Sequence, residues 1–497
     1  MNVQPLMSFL HEEKIPEKQE KMLKKKFSLL SKTAIGKEIG ANEGTKIGDL
    51  PLTSYSLYSK FFQNPTQEAF MYPLKYYGKA LTTGSMGKAK WYLNPLPLEV
   101  NMAAANLATI IALSHDGEKY CVNEGYTVYA NLAPPPYYAG TGWNRMIKAN
   151  PSILKLLTLF RFYEPPRILE LAKITRLFKK LNFLPTDQAA PYEEKVNVFI
   201  KNFKKIDIAM MTVGTLLNLV YPEIKEPISL KAFVTQDTSA DFFRDKIKEI
   251  TGVYPSTIYG STETGTCGIP SPEHSMGIFF DWRTVYCEFL PENNFYSIDI
   301  YKKFDSEVIP LDDVKVGRKY QLVVTNLQSE LTRYVMPDVF ECISKQDNIL
   351  GIDFPIFKYH MRAFKQISLH NFTIIDEKTI LSAFKTADIQ INDFTARLEV
   401  IDGMEHLAIY MEPGRTYEEN EVLTRVDKSL RDIDKGYSEL STYQNYIPLK
   451  ITLLPEGTFS DFLKRKTGMS HLMRINMKSE DFALILSTAG ELRQKID

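Results

Sequence analysis

Three stretches of this 497-residue chain combine residue types that chemistry needs. The first is Leu81-Thr82-Thr83-Gly84-Ser85-Met86-Gly87-Lys88-Ala89-Lys90. Two glycines let the backbone turn with its N–H groups inward, the hydroxyls add donors and the lysines add charge, a combination suited to a triphosphate or pyrophosphate. The Walker spacing is absent, because only two residues separate Gly84 from Gly87, and taken alone the stretch also reads as a polar surface turn. The second is Tyr259-Gly260-Ser261-Thr262-Glu263, where a carboxylate flanked by hydroxyls can hold Mg²⁺ through one oxygen and waters. The third is Leu331-Thr332-Arg333-Tyr334-Val335-Met336-Pro337-Asp338. There an Asp can accept hydrogen bonds from both hydroxyls of a ribose while an Arg pairs with phosphate; the alternative is an Arg333–Asp338 ion pair across a turn.

Hydrophobic spacing predicts the elements that position these residues. KAFVT, from Lys231, reads as a short buried strand, followed by a helix that Ser239 or Asp241 caps and that presents Phe243, Ile247 and Ile250 on one face. Gly252 ends the helix, and STIYG follows as the next strand, so that Glu263 falls at its carboxyl end, the edge at which open α/β sheets bind ligands. Thr284–Leu290 and Tyr320–Thr325 are further β-rich runs. Past Ile356 the texture changes: a basic and aromatic stretch leads to a helix whose first turn carries Asp376 and Glu377. Then come strands at Thr395–Val400 and His406–Met411, a helix over Glu418–Ile433 and a strand at Lys450–Leu454. The reading is an α/β protein with domains at 1–358 and 359–497, the second a small α+β unit.

Composition sets outer bounds. Sixty Lys plus Arg balance sixty Asp plus Glu, which excludes a global pull toward nucleic acid or anionic lipid. The basic run Lys21, Lys24, Lys25 and Lys26 sits on a predicted helix from Glu20 to Ile39 with Leu23, Phe27 and Leu30, and reads as a solvated face; a contact to membrane or nucleic acid is the alternative. Four scattered cysteines argue for a reducing, cytoplasmic setting. No signal peptide is read in the first residues, and the apolar run Met102–Leu113 is shorter than the about 20 residues of a bilayer span. Cys267, His274 and Cys287 lack zinc spacing, and no base partner marks Cys267 as a nucleophile. The aromatic loop Pro134–Trp143 reads as a surface loop or as the wall of an acyl pocket.

Taken in order, the three motifs resemble the adenylate-forming superfamily, which includes acyl-CoA synthetases, phenylacetate-CoA ligases and the plant hormone (auxin-responsive) acyl-acid amido synthetases. TTGSMGKAK is similar to that superfamily's [ST][SG]G[ST]TGxPK loop. YCEFLP at Tyr286–Pro291, VGRKYQLVVTN running into LTRYVMPDV, and LLPEGTF followed by GMS resemble the amido synthetase branch. The resemblance spans about Leu81 to Lys478.

It implies a large N-terminal domain of sheets flanked by helices, a small mobile C-terminal domain, and ATP with Mg²⁺ as cofactors. A carboxylic acid would become an acyl-AMP with release of pyrophosphate, and an amine acceptor would then take the acyl group. Residue by residue it implies that Thr82, Thr83, Gly84, Ser85, Gly87 and Lys90 hold the β- and γ-phosphates, that Glu263 is the metal ligand and that Thr262 contacts the α-phosphate. Tyr259, Gly260 and Ser261 would line the nucleotide, with Tyr259 against adenine, while Asp338 holds the ribose and Arg333 serves the nucleotide. The catalytic lysine is Lys464, Lys466 or Lys478. The departures are Met86 for the loop's Thr, Pro337 for the Gly before the ribose Asp, HNFTIID before the linker strand, and Met473-Arg474-Ile475-Asn476-Met477-Lys478 where amido synthetases carry Gln-Tyr-Lys-x-Pro-Arg. Two alternatives stand beside this reading: an acyl-CoA ligase using the coenzyme A thiol, and a non-catalytic nucleotide-binding protein on the same fold.

Overall fold

The computed structural model describes residues 7–81, 90–131, 180–184, 192–292, 302–303, 307–362, 367–369, 373–401, 404–444, 446–466 and 472–496. Two compact units divide the chain. One comprises Met1–Ala190, Lys201–Met211 and Pro227–His360; the other comprises Pro191–Ile200, Thr212–Glu226 and Met361–Asp497.

The larger unit holds two main sheets. The first is parallel throughout, in the order Asn182–Phe183, Thr127–Asn131, Ile208–Met211, Ala232–Thr235 and Pro255–Thr257. IAMM and AFVT are buried along their whole length, as expected of strands covered on both faces. The second sheet is largely antiparallel and runs Ile309–Pro310, Val285–Pro291, Lys319–Asn326, Tyr334–Ser344, Ile356–Arg362, Gly277–Phe280, Gly265–Pro270 and Tyr259–Ser261. Val285–Pro291 pairs with Lys319–Asn326 from Val285↔Asn326 to Pro291↔Tyr320 without a break. Phe280, Phe289, Phe340 and Phe357 form the aromatic core on one face, with Phe289 stacked on Phe357 at 4.9 Å between centroids. Helix Leu96–Leu113 packs against Gly265–Pro270. It is long and apolar enough to cross a membrane, yet 88% of its span is buried inside the protein, so it is a core helix here.

The smaller unit is built on strands Ile391–Ile401 and Met404–Pro413, antiparallel, with Leu449–Leu453 parallel to the second. A parallel return needs a long crossover, which helices Glu419–Ile433 and Lys435–Gln444 supply. Phe384, Phe394, Ile409, Val422 and Val426 are buried in it.

Three local expectations change. The N-terminal helix is two helices, Ile15–Leu30 and Ala34–Ile39, because Thr33 breaks the run and its hydroxyl accepts the Gly36 N–H at 2.9 Å. Lys26, placed by spacing on a solvated face, is buried. The helix after Thr235 begins at Arg244 without Ser239 or Asp241 as cap, although Gly252 ends it at φ +78° as expected.

Candidate active site

The expected strand STIYG is divided between the two sheets. Pro255–Thr257 is the edge of the parallel sheet, and Tyr259–Ser261 is the edge of the antiparallel one. Immediately beyond, the chain reverses over Thr262–Thr264 and pairs Gly265 with Ser261. Ser261 Oγ accepts the N–H groups of Glu263 and Thr264, each at 3.2 Å, a side-chain-mediated turn. Gly265 is required twice over: its φ is +65°, and a Cβ there would lie 2.3 Å from Met102 Cγ on the helix Leu96–Leu113.

Other strands hold this turn by its carbonyls. Asn94 Nδ2 donates to Thr262 O at 3.2 Å, and Asn326 Nδ2 donates to Glu263 O at 3.0 Å. The Tyr92 hydroxyl donates to Glu263 Oε1 at 2.8 Å and lies 2.7 Å from the hydroxyl of Tyr334. Burial first, then the neighbouring Glu263 and Tyr334, push the Tyr92 phenol well above its ordinary pKa, so it stays a donor. Glu263 is half-buried, and its second carboxylate oxygen takes no partner among the described residues. One open carboxylate oxygen fits a cation that brings its remaining ligands as water and substrate phosphate. Among the described residues no cluster of three or more His, Cys, Asp or Glu forms an all-protein metal cage.

Tyr259 and Asp338 also meet: the phenol donates to Asp338 Oδ2 at 2.7 Å, and both side chains are buried. The Tyr259 ring is closed in edge-on by Phe280 and Phe340, at 6.0 and 4.9 Å between centroids. A ring so enclosed orients Asp338; it is not an open platform for adenine. Arg333 departs further from expectation. It neither pairs with Asp338 nor faces an open phosphate site, because its guanidinium makes two 3.0 Å bonds to Glu288 and donates to Leu50 O at 2.6 Å. Arg333 and Glu288 are both buried, and burial raises the Glu288 pKa while Arg333 opposes the shift. Arg333 also takes φ +43°, uncommon for a residue with a side chain, and this kink feeds strand Tyr334–Ser344. Thr262 and Gly260 lie half-buried beside Glu263.

In the smaller unit the three lysines differ. Lys466 pairs with Asp481, and Lys464 lies 3.6 Å from Glu223. Lys478 is exposed, and its side chain makes no hydrogen bond or ion pair with the described residues, although its carbonyl accepts Phe482 N at 2.9 Å. Arg474, in the segment that replaces the amido synthetase lysine motif, is buried: it grips Asp393 at 2.7 and 3.2 Å and Glu377 at 3.1 Å. Its backbone carbonyl accepts from Ala396 N at 2.7 Å, which docks the segment on strand Ile391–Ile401.

Thr82, Thr83, Gly84, Ser85 and Gly87, like Pro134–Trp143, lie outside the described residues. Lys90 is described, with its Nζ 5.1 Å from the Tyr55 ring centroid. Sequence reasoning missed Tyr92, Asn94 and Asn326 and gave Tyr334 no role. A signal existed for two of them, since the alternation in Trp91-Tyr92-Leu93-Asn94 sends Tyr92 and Asn94 to the same face.

Residues 279–360 match the GH3 family central domain. The chain is 26% identical over 245 residues to the indole-3-acetic acid-amido synthetase GH3.10 of Arabidopsis thaliana, an alignment spanning 46% of this chain and 40% of that protein. Its structure is similar to an AtGH3.15 acyl acid amido synthetase in complex with 2,4-DB (TM-score 0.69, 15% identity, 98% of this chain and 95% of that one). It is also similar to a 2-hydroxyisobutyryl-CoA ligase in the postadenylation state with R3-HIB-AMP (TM-score 0.61, 12% identity, 95% and 91%). The mixed α/β fold is therefore that of acyl acid amido synthetases and adenylate-forming ligases.

Proposed function

We propose that this chain activates a carboxylic acid with ATP and passes the acyl group to an amine. The observation that carries the reading is the turn at the junction of the two sheets, where Glu263 presents one open carboxylate oxygen while Tyr92 and Asn326 fix the other oxygen and its backbone. In the first step a carboxylate oxygen of the acid attacks the α-phosphorus, the bond to the bridging oxygen breaks and pyrophosphate leaves with that electron pair. In the second the amine nitrogen attacks the acyl carbon, AMP departs and the nitrogen loses a proton.

Mg²⁺, when bound with ATP, supplies charge neutralisation for the phosphates. Glu263 orients that ion, Thr262 faces the α-phosphate, and Asp338, aligned by Tyr259, takes the ribose hydroxyls. Gly260 and Ser261 shape the wall beside them, and residues 82–90 contribute the phosphate loop. Residues 359–497 are the mobile part in this reading, and Lys478 is its lysine, because Lys464 and Lys466 have acidic neighbours and Arg474 is committed to Asp393 and Glu377. Such a cation stabilises charge building between the carboxylate and the α-phosphate. Four free cysteines, three of them buried, support a reducing, cytoplasmic setting.

Mass spectrometry tests the reaction. ATP, a panel of aromatic and aliphatic acids, and either mixed amino acids or coenzyme A are incubated with the protein. An N-acyl amino acid with stoichiometric AMP is expected; an acyl-CoA thioester formed in its place would move the chain to the ligase reading.

A further inference from the structure

Lys26 has no role in the site described above, yet it is one of the most deeply buried charges in the larger unit, at 2% exposure. From helix Ile15–Leu30 its ammonium donates to the carbonyls of Asn326 at 2.8 Å, Leu331 at 3.1 Å and Ser329. Three N–H donors meet three acceptors, all in one loop between strands Lys319–Asn326 and Tyr334–Ser344. Burying an ammonium is costly, and here the cost is offset by those bonds and by the attraction of Glu330, which is buried in the same loop.

This loop bonds to the Glu263 turn and to the segment that leads toward residues 82–90, and it runs on into the strand that carries Asp338. Asn326 Oδ1 accepts Gln328 N at 2.9 Å and Ser329 N at 3.1 Å, which fixes its side chain so that Nδ2 reaches Glu263 O. Glu330 Oε1 accepts Met71 N at 2.9 Å and the hydroxyl of Tyr77, and Tyr77 opens the strand Tyr77–Leu81 that leads into residues 82–90. At the far end the kink at Arg333 delivers Tyr334, the partner of Tyr92, and then Asp338. An apolar side chain at position 26 would remove a donor from three buried carbonyls, of which Leu331 O keeps the N–H of Asn326 at 3.1 Å, and the loop would have to move for Asn326 O and Ser329 O to regain what the ammonium gave them.

We propose that Lys26 is a positioning residue for this site: its ammonium fixes the loop 326–331 and, through Asn326, the backbone of Glu263. The inference rests on the adenylation reading of Glu263. It is tested with Lys26→Met, Lys26→Arg, Asn326→Ala and the double variant Lys26→Met/Asn326→Ala in the full-length protein. Acid-dependent ATP–pyrophosphate exchange is measured well below each melting temperature, alongside calorimetry of ATP binding with and without Mg²⁺.

Lys26→Met is expected to lower kcat about 10–100-fold, the usual loss when support behind a metal-orienting group is removed, with the KM for the acid unchanged. Lys26→Arg is expected to restore part of that loss. Because both residues act along one path, the double variant is expected to lose no more than the worse single one. Wild-type kcat in Lys26→Met, or losses that multiply in the double variant, would overturn the proposal while leaving the adenylation reading intact. A wild type that shows no exchange fails the adenylation reading. In that event Mg²⁺-dependent ATP binding decides: weaker binding in Lys26→Met upholds the positioning role, and equal or absent binding overturns it.

Discussion

Replacing Arg333 by Met separates a structural guanidinium from a phosphate-binding one. Arg333 is 3% exposed and Glu288 is 6% exposed, and two 3.0 Å bonds join them. Arg333→Met strands the Glu288 carboxylate in the core and frees Leu50 O, and breaking a buried pair in this way costs about 3–5 kcal/mol. The burial that already raises the Glu288 pKa then acts without its opposing cation. A carboxyl whose folded pKa exceeds its unfolded value binds protons more readily in the folded state, so the deficit is largest at neutral pH and narrows as pH falls toward about 4.5. Removing both charges in Arg333→Met/Glu288→Met is expected to recover most of the loss, because an apolar pair replaces an ionic one of similar size.

Urea unfolding followed by tryptophan fluorescence reads this directly, since Trp91 and Trp282 belong to the larger unit. The recovered double variant is then titrated with ATP. Near-unchanged affinity is expected. A double variant as unstable as the single one, or a stable double variant whose ATP affinity falls by more than about tenfold, the loss expected of a charge-assisted phosphate contact, would refute the argument.

Three further outcomes follow from the same geometry. Tyr92→Phe keeps the packed ring and deletes the bond to Glu263 Oε1, so the Mg²⁺ concentration for half-maximal exchange should rise about tenfold with little change in melting temperature; an unchanged Mg²⁺ curve would count against Tyr92 as support for Glu263. Lys478→Ala should depress adenylation about 100-fold or more, whereas Lys464→Ala and Lys466→Ala should each change it by less than about threefold, and equal losses in all three would remove the basis for choosing Lys478. Burial holds the Lys26 pKa below its ordinary value while Glu330 opposes the shift, so as alkaline pH discharges Lys26 first in the folded state the unfolded chain binds more protons and stability at this position rises with pH, by at most about 1.4 kcal/mol per unit. The stability difference between wild type and Lys26→Met should therefore shift toward the wild type on the alkaline side, and a flat difference would refute the assignment.

The strands around the site were legible because their patterning is strong. The run Tyr320–Thr325, the buried AFVT and the glycine stop at Gly252 carry local signals that tertiary structure leaves in place. The Glu263 turn was legible as a motif, but its division between two sheets was not, since period and propensity do not say to which sheet a strand belongs. Arg333 misled because an Arg near an Asp looks the same in sequence whether it serves a ligand or a distant carboxylate; its partner, Glu288, lies 45 positions away. Lys26 misled for a related reason. Neighbouring lysines suggest a solvated face, and only the fold brings residues 326–331 against that helix, 300 or more positions on. Tyr92 belongs to no motif in the sequence; only the fold brings its hydroxyl to Glu263, 171 positions on.

The most direct test of the central claim is acid-dependent ATP–pyrophosphate exchange in the presence of Mg²⁺, with neither coenzyme A nor an amine present, run on wild type and Glu263→Gln over aromatic, short-chain and long-chain acids. The account predicts exchange by the wild type with at least one acid class and a loss of orders of magnitude in a folded Glu263→Gln. Undiminished exchange in Glu263→Gln, or none in a wild type shown to bind ATP, would contradict it.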